Sequence, residues 1–312
     1  MASNLEVRLA PVVIFVYNRP QHTQRTISAL LNNTLARETD VIIYSDAAKV
    51  DAQSDNVNAV REYIGKVSGF RSIRIVERTQ NFGLAKSIIE GVTEACKQYG
   101  NVIVLEDDLE TSPYFLEFMN QALGKYAKTE EVMHISGCSY PIRQIEEQET
   151  YFLNVPLCWG WATWQRAWKK FSNDVAVMDR FDAAMIRSFN FDNSYPYWAQ
   201  LELNRAGKIR TWFVFWYATV FLQGGLCLFP SRSLVKNVGF DRSGVNCDQT
   251  DVYDVPVSDA PVNVASIPLT VSELAVSRHI EYFRSIKPGL LRKFVGKMRR
   301  FMAMIRYQFT SA

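Results

Sequence analysis

Short apolar runs alternate with amphipathic segments along the first hundred residues of this 312-residue chain. The runs are rich in Val and Ile, which is typical of buried strands, and the segments between them carry apolar residues at helical spacing. The predicted elements are strand 11–17, helix 21–31, strand 41–44, helix 56–67, strand 72–77, helix 84–99 and strand 101–105. Gly100 follows the third helix, where glycine commonly forms the C-cap. This order predicts an α/β protein with a doubly wound, largely parallel sheet.

The pattern becomes less regular after Met119. Residues 132–137 are predicted to form a strand, residues 146–151 an edge strand or loop, and residues 195–204 an aromatic helix. Near the end, residues 290–309 place apolar side chains on one helical stripe, with most cations off it. We therefore divide the chain into a β/α half (1–126), a more irregular half (127–285) and a basic amphipathic helix (286–312).

Composition and charge indicate a folded protein without a nucleic-acid partner. Apolar residues make up 48% of the chain and charged residues 21%, and the net charge of +3 is too small to suggest nucleic-acid binding. The charge is unevenly distributed. Residues 287–312 contain no acid, and the remainder of the chain therefore has a net charge of −4. The cations of this tail are Lys287, Arg292, Lys293, Lys297, Arg299, Arg300 and Arg306. Such a tail suits an anionic membrane surface, or a helix packed on its own domain or on a partner subunit.

Cysteine usage and hydropathy bear on where the protein works. The five cysteines are scattered, without the spacing of a zinc or redox motif, so we expect a reducing cytoplasm. Residues 1–9 lack a long apolar run and predict neither a signal peptide nor an anchor. No apolar stretch reaches the length of about 18 residues that a spanning helix needs. We expect a cytoplasmic protein, with the basic tail as its contact with the inner face of the membrane.

Three consecutive acids, Glu106, Asp107 and Asp108, follow the apolar strand 101–105. In an open α/β sheet, ligands bind beyond the carboxyl ends of the strands, so this triplet is placed where ligands are expected. Adjacent carboxylates raise one another's pKa, and a cation relieves the repulsion. Carboxylate oxygens suit Mg²⁺ or Mn²⁺ shared with a substrate phosphate. The same triplet also fits a solvated acidic turn before the helix that begins near Pro113.

Four segments together resemble glycosyltransferases of the GT-A fold, in particular family-2-like bacterial enzymes and N-acetylglucosaminyltransferase I. They occur in the expected order and are VIFVYNRP (13–20), NFGLA (81–85), EDDLE (106–110) and CWGWATW (158–164). The resemblance implies a GT-A-type, Rossmann-like mixed sheet flanked by helices. It also implies that residues 1–126 bind a nucleotide sugar and that residues 127–285 bind the acceptor and carry catalysis.

The resemblance further implies roles for individual residues. Asp108 binds the metal, Mn²⁺ or Mg²⁺, while Glu106 and Asp107 contact the ribose and sugar of the donor. The base pocket is lined by Arg19 and Asp46, with Asn81 and Lys86 nearby. Three of these residues, Arg19, Asn81 and Lys86, also have a purely local explanation, such as an exposed turn for Arg19 before Pro20.

An inverting transferase also needs a carboxylate outside the metal cluster to deprotonate the acceptor hydroxyl. Glu202 is the only acid in the predicted helix 195–204 and is our candidate, with Asp192 in reserve. Related bacterial sequences often carry two adjacent acids in this helix, whereas this chain has Leu203 at the second place. The alternative is a surface glutamate paired with Arg205 or Arg210.

Several tryptophans lie close together in the second half. We expect Trp159 and Trp161 in the binding cleft, where indole faces stack on sugars, and Trp164 and Trp168 in the core. Residues 236–247 form a glycine-punctuated loop suited to cover a diphosphate. Relatives often have histidine where this chain has Asn246, so no second metal ligand is expected there. His134, within an apolar stretch, is predicted to be a core histidine.

Taken together, these residues and the resemblance imply a metal-dependent, inverting sugar transfer from a nucleotide-diphosphate donor, a UDP-sugar, to a glycan hydroxyl in bacterial surface polysaccharide or lipopolysaccharide synthesis. A lipid-linked oligosaccharide at the inner membrane is the expected acceptor. Two other classes stay open. A metal-dependent nucleotidyltransferase would share the acidic cluster but usually has a Gly- and Lys-rich loop where this chain has Asn18-Arg19-Pro20. A non-catalytic, membrane-associated sugar-binding protein would tolerate loss of Asp108.

Overall fold

The first half of the molecule alternates strands and helices, as the apolar pattern predicts. The computed structural model describes residues 8–143, 145, 149–241 and 250–286. Its first elements are β1 (Val12–Val16), α1 (Pro20–Leu31), β2 (Asp40–Ser45), α2 (Ser54–Ile64), β3 (Ser72–Glu77), α3 (Leu84–Tyr99) and β4 (Asn101–Glu106). The bounds of β3 and α3 are those predicted. Gly100 caps α3 in the left-handed conformation (φ 83°), and its N–H donates to the Cys96 carbonyl.

The second half mixes short strands with helices. Its elements are β5 (Leu109–Thr111), α4 (Phe115–Lys125), β6 (Val132–Ser136), β7 (Thr150–Leu153), β8 (Trp161–Trp164), α5 (Gln165–Trp168), α6 (Ala183–Phe189), α7 (Tyr197–Arg205), α8 (Phe213–Leu222), β9 (Leu226–Pro230) and β10 (Val235–Asn237). Three short 3-10 helices lie at Ala36–Glu38, Asp51–Gln53 and Val175–Arg180. The described residues 273–286 are also helical.

Eight strands form one mixed sheet in the order β3-β2-β1-β4-β8-β6-β9-β7. The first four strands are parallel, with Val12 opposite both Val41 and Ile103, and β8 joins β4 in the antiparallel direction. The sheet therefore runs without a break from the first half into the second. Strands β5 and β10 form a separate two-stranded antiparallel ladder. The predicted doubly wound, GT-A-type mixed sheet flanked by helices is confirmed.

The centre of the sheet is buried on both faces, which explains why β1 and β4 are apolar without alternation. Helix α3 covers one face with Ile88, Val92 and Ala95, spaced about one turn apart. It approaches β1 closely at Gly91, where a Cβ atom would lie 2.8 Å from the Phe15 ring. This close packing fixes the position of the loops that precede α3 and follow β1.

The tryptophan-rich segment forms part of the core. Trp161 lies on β8 with no exposed surface, and its ring stacks on His134 (centroids 5.3 Å apart) and Trp212 (5.2 Å). The expectation that Trp161 lines the cleft is therefore corrected. Trp164 and Trp168 are buried, as expected. His134 is fully buried and accepts a hydrogen bond from Trp216 at 3.2 Å, as expected of a core histidine.

The last described residues pack one face of a helix onto the domain through Ala275, His279 and Phe283. The predicted basic helix, 286–312, begins at Ile286, which is the last described residue. The rest of it lies outside the described residues. Within the described part of the chain, we find no helix long and apolar enough to cross a bilayer.

Candidate active site

The loops after four parallel strands meet at one edge of the sheet. Because β1, β2, β3 and β4 run in the same direction, their carboxyl ends share that edge. The Tyr17 N–H, just after β1, donates to Asp107 at 3.3 Å, and the Asp46 N–H, just after β2, donates to the Val16 carbonyl at 3.1 Å. The loops at Asn18, Asp46, Asn81 and Glu106 thus converge at this edge.

Arg19 joins the two aspartates of the acidic triplet. Its Nη2 atom contacts Asp107 Oδ1 and lies 2.9 Å from Asp108 Oδ2. Asp107 and Asp108 are 4% and 8% exposed. Burial lowers the pKa of the Arg19 guanidinium, but the two carboxylates together raise it by more than burial lowers it. The pKa of Arg19 therefore lies above its ordinary value. The cation that the triplet requires is therefore present in the chain itself.

Glu106, the last residue of β4, differs from the two aspartates. Burial, followed by the charges of Asp108 and Asp107, raises its pKa to about 8. Glu106 therefore gives up its proton less readily than an ordinary glutamate. The pKa of the Cys158 thiol is raised, first by burial and next by the charge of the nearby Glu106.

The loop after β10 covers Asp108. The Val238 N–H donates to the Asp108 carbonyl at 2.9 Å, and a Cβ atom on Gly239 would stand 2.1 Å from Asp108 Oδ2. Only a residue without a side chain allows the backbone to approach so closely. This is the start of the predicted covering loop 236–247, of which 242–247 lie outside the described residues. Lys236 itself pairs with Asp254 at 2.7 Å.

Nothing in the sequence indicated a second contact at the same edge. His22 Nε2, in the first turn of α1, lies 3.1 Å from Asp241 Oδ2 in the covering loop. The two residues are far apart in sequence, and each is isolated among residues of ordinary composition. No local signal identifies such a pair.

Asp46 binds the loop that precedes α3. Its carboxylate accepts hydrogen bonds from the N–H groups of Ala47 (2.9 Å), Phe82 (2.8 Å) and Gly83 (2.8 Å), and from Asn81 Nδ2 (3.1 Å). Asn81 also donates to the Ala47 carbonyl at 2.7 Å. Asp46 and Asn81, both predicted near the base pocket, are therefore brought together. Four donors take up most of the accepting capacity of the Asp46 carboxylate.

Lys86 and Trp159 lie at the margins of this region. Lys86 Nζ sits 4.0 Å from the centre of the Phe82 ring and 3.7 Å from Glu90, and its side chain is 54% exposed. Trp159 is half-buried, with ring centroids 5.5 Å from Phe240 and 5.5 Å from Tyr253. Through Phe240, which follows Gly239, Trp159 is connected to the loop that covers Asp108. Lys86 makes no ion pair with the acidic triplet among the described residues.

Neither candidate base contacts the acidic triplet through a hydrogen bond or ion pair in the described part of the chain. Glu202 lies on the exposed face of α7 and accepts a hydrogen bond from Trp198 Nε1 at 3.2 Å. Asp192 pairs with Arg187 at 2.5 Å and with Arg284 at 2.7 Å. The Arg187 hydrogen bond, opposed by some burial, holds the Asp192 pKa below its ordinary value. The predicted role of Glu202 stays a prediction.

The donor set at Asp107 and Asp108 fits part of a divalent-metal site. Two carboxylate oxygens already converge on one cationic group, and Mg²⁺-type ions are commonly held by one or two carboxylates together with substrate phosphates. Among the residues that the structure describes, no cluster of three or more His, Cys, Asp or Glu side chains could hold an ion alone. A diphosphate would have to complete the coordination.

Comparison with known proteins decides the family. The model for "Glycosyl transferase family 2" matches residues 12–193, more than half of the chain and all four parallel strands. The chain belongs to glycosyl transferase family 2. It is therefore a glycosyltransferase, and its acidic triplet, Arg19 and Asp46 all lie within the matched region. A search of curated proteins gives no match.

Solved glycosyltransferase structures show distant similarity to this family 2 member. One is the mannosyltransferase PcManGT from Pyrobaculum calidifontis in complex with GDP-Man and Mn²⁺, with 12% identity, a TM-score of 0.41 and coverage of 70% of both chains. Another is residues 1–349 of TarS from S. aureus, with 11% identity, a TM-score of 0.39, and coverage of 72% of this chain and 59% of that one.

Proposed function

We propose that this glycosyltransferase transfers a sugar from a nucleotide-diphosphate donor to a glycan hydroxyl with the help of Mn²⁺ or Mg²⁺. One observation carries the proposal: two buried carboxylates, Asp107 and Asp108, converge on one cationic group at the carboxyl edge of the central strand β4. A diphosphate is a ligand that needs cations of this kind beside it. We further propose a UDP-sugar as the donor, on the sequence resemblance.

Each residue of the edge has a separate task in this proposal. Asp108, with Asp107, would hold the divalent ion, which when bound would neutralise the charge that develops on the leaving diphosphate. Arg19 supplies a second cation that can form charge-assisted hydrogen bonds to a phosphate. Asp46 holds the loop 81–83 against the end of β2, which fixes one wall of the donor pocket. Glu106 would contact the donor sugar or ribose.

The acceptor would bind on the side of Trp159. Its half-buried ring, near Phe240 and Tyr253, offers an apolar face of the kind that packs against a pyranose. Glu202 is the proposed general base, and a base on the opposite face from the leaving group would give inversion. A lipid-linked oligosaccharide of bacterial surface polysaccharide synthesis is the proposed acceptor, met at the inner membrane by the basic tail.

The test is a panel of nucleotide sugars incubated with the full chain and Mn²⁺. Release of the nucleoside diphosphate should occur with one donor, should increase when a glycan acceptor is added, and should stop with EDTA. Pyrophosphate release instead would indicate nucleotidyl transfer. Undiminished turnover in EDTA would contradict the metal requirement, while leaving the family assignment in place.

A further inference from the structure

We infer that Arg19 is a built-in counter-ion for the Asp107–Asp108 pair, and that this pair binds a divalent ion weakly until a nucleotide diphosphate draws the guanidinium away. The inference rests on the proposed function, since it concerns how the metal and the donor enter the same site. It adds an order to their binding and gives Arg19 a positioning role that differs from lining the base pocket.

The position of the guanidinium supports this role. Nη2 donates to both Asp107 Oδ1 and Asp108 Oδ2. The other oxygen of Asp107 accepts the Tyr17 N–H at 3.3 Å, so it is already engaged by the backbone. Arg19 therefore contacts carboxylate oxygens of both residues that would hold a divalent ion.

Because the site is buried, one divalent ion is expected to replace one Arg19 guanidinium at the two aspartates. The side chains of Asp107, Asp108 and Arg19 are only 6%, 11% and 16% exposed. Two carboxylates in such surroundings are unstable without a cation, and a guanidinium and a divalent ion side by side would repel each other with little water between them. The pair is thus expected to hold one or the other.

The covering loop restricts alternative arrangements. At Gly239 a Cβ atom would lie 2.1 Å from Asp108 Oδ2 and 3.1 Å from Arg19 Nη1. The backbone there closes over the contact between the two side chains and leaves little room for an ion beside the guanidinium. Removal of Arg19 from the carboxylates therefore requires an anionic partner within reach, and a diphosphate provides one.

Metal and nucleotide binding are therefore expected to be coupled, each strengthening the other by the same factor. The experiment is a titration with Mn²⁺, followed by electron paramagnetic resonance of the free ion, with and without UDP or GDP. The variants are R19Q, which removes the charge, and R19K, which keeps it. R25Q is the matched control, because Arg25 lies on α1, the helix that begins directly after Arg19, and also pairs with an acid, Glu110, at 2.6 Å, but on the exposed surface.

Wild-type protein and R25Q should bind Mn²⁺ weakly alone and at least about tenfold more tightly with the nucleotide, within the usual range of coupling. R19Q should bind Mn²⁺ alone at least about tenfold more tightly than wild type and lose most of the coupling, whereas R19K should stay near wild type. Circular dichroism confirms that each variant is folded.

Equal Mn²⁺ affinity of the wild-type protein with and without nucleotide would overturn the inference, whatever the variants do. Equal nucleotide-free affinity in folded R19Q and wild type would also overturn it. Either result leaves the metal-dependent function in place. Absence of Mn²⁺ uptake under all conditions, with nucleotide binding intact, would instead overturn the proposed metal requirement and the inference together.

Discussion

The carboxylate of Asp46 accepts the backbone N–H of Gly83 at 2.8 Å and so joins the end of β2 to the start of α3. The same carboxylate accepts the Phe82 N–H and the Asn81 side-chain amide. Residues 81–83 of this loop are thus all held by the side chain of Asp46, which directly follows the neighbouring strand β2. The shape of the proposed donor pocket at this wall depends on that single acid.

Replacing Asp46 with Asn should loosen the loop, because the new Nδ2 group would face N–H donors. We expect the free energy of unfolding to fall by about 1–3 kcal/mol, the usual cost of losing hydrogen bonds to a charged group, and donor affinity to fall with it. Urea unfolding and calorimetry measure the two effects. D51N, a change at an exposed acid of the same β2–α2 connection, should change neither. Wild-type donor affinity in D46N would show that the pocket does not rely on this anchor.

Much of the fold could be predicted from the sequence, because the first half is built from local signals. Each strand from β1 to β4 is an apolar run, and each helix between them has its own apolar stripe, so neither depends on distant residues to be recognised. The edge where ligands bind follows from the parallel order of these strands. The acidic triplet was located correctly for the same reason.

The rest depends on pairing across long stretches of chain. Strands β5 and β10 have three residues each, and only their antiparallel ladder makes them strands. Trp161 was misplaced because its indole was expected to stack on a sugar in the cleft, whereas β8 is a strand buried along its whole length. The contact of Arg19 with Asp107 spans 88 positions, and composition gives no sign of it.

Gly239→Ala should disturb the metal and donor site without unfolding the protein. Its new Cβ atom would clash with Asp108 Oδ2, so either the covering loop or the carboxylate must move. We expect donor affinity to fall by about tenfold or more, which corresponds to the loss of one charge-assisted contact.

Gly124→Ala is the matched control for this substitution. Gly124 lies in α4 with open space around its Cα atom, so alanine there should raise stability by about 0.5–1 kcal/mol. Donor affinity should not change. If G239A binds the donor as wild type does, the covering loop has no role at Asp108.

His134 should make the protein less stable at acidic pH. Burial lowers its folded-state pKa to about 3, whereas the unfolded chain has an ordinary histidine pKa near 6.5. Above pH 6.5 the neutral side chain is favoured in both states. As the pH falls from about 6.5 to about 3, the unfolded state takes up a proton that the folded state does not, so stability falls.

One such group lowers the free energy of unfolding by about 1.4 kcal/mol for each pH unit within this range. H134Q, which cannot take up this proton, should be less stable at pH 7 because it alters the stack on Trp161. Its unfolding free energy should nevertheless decline less steeply than that of wild type between pH 6 and pH 4, as measured by urea unfolding. Parallel declines in the two proteins would show that His134 is protonated in the folded state too.

Glu202 can be tested apart from donor binding. If it is the general base, E202Q should lower kcat by about 10²- to 10⁴-fold and leave the donor Kd unchanged. D192N is the comparison, since Asp192 is held by Arg187 and Arg284 and its loss should reduce stability rather than turnover. Wild-type kcat in E202Q would remove Glu202 from the mechanism.

The central claim, that Asp108 helps to bind a divalent ion together with a nucleotide diphosphate, is tested most directly by titration calorimetry. Wild-type protein, D108N and E110Q would each be titrated with UDP and GDP in Mn²⁺ and in EDTA. The account predicts that one of the two nucleotides binds and that its binding requires Mn²⁺. The affinity should be at least about tenfold weaker in D108N. It should be unchanged in E110Q, because Glu110 pairs with Arg25 rather than with Arg19. Equal, Mn²⁺-dependent affinity in D108N and wild type would contradict it.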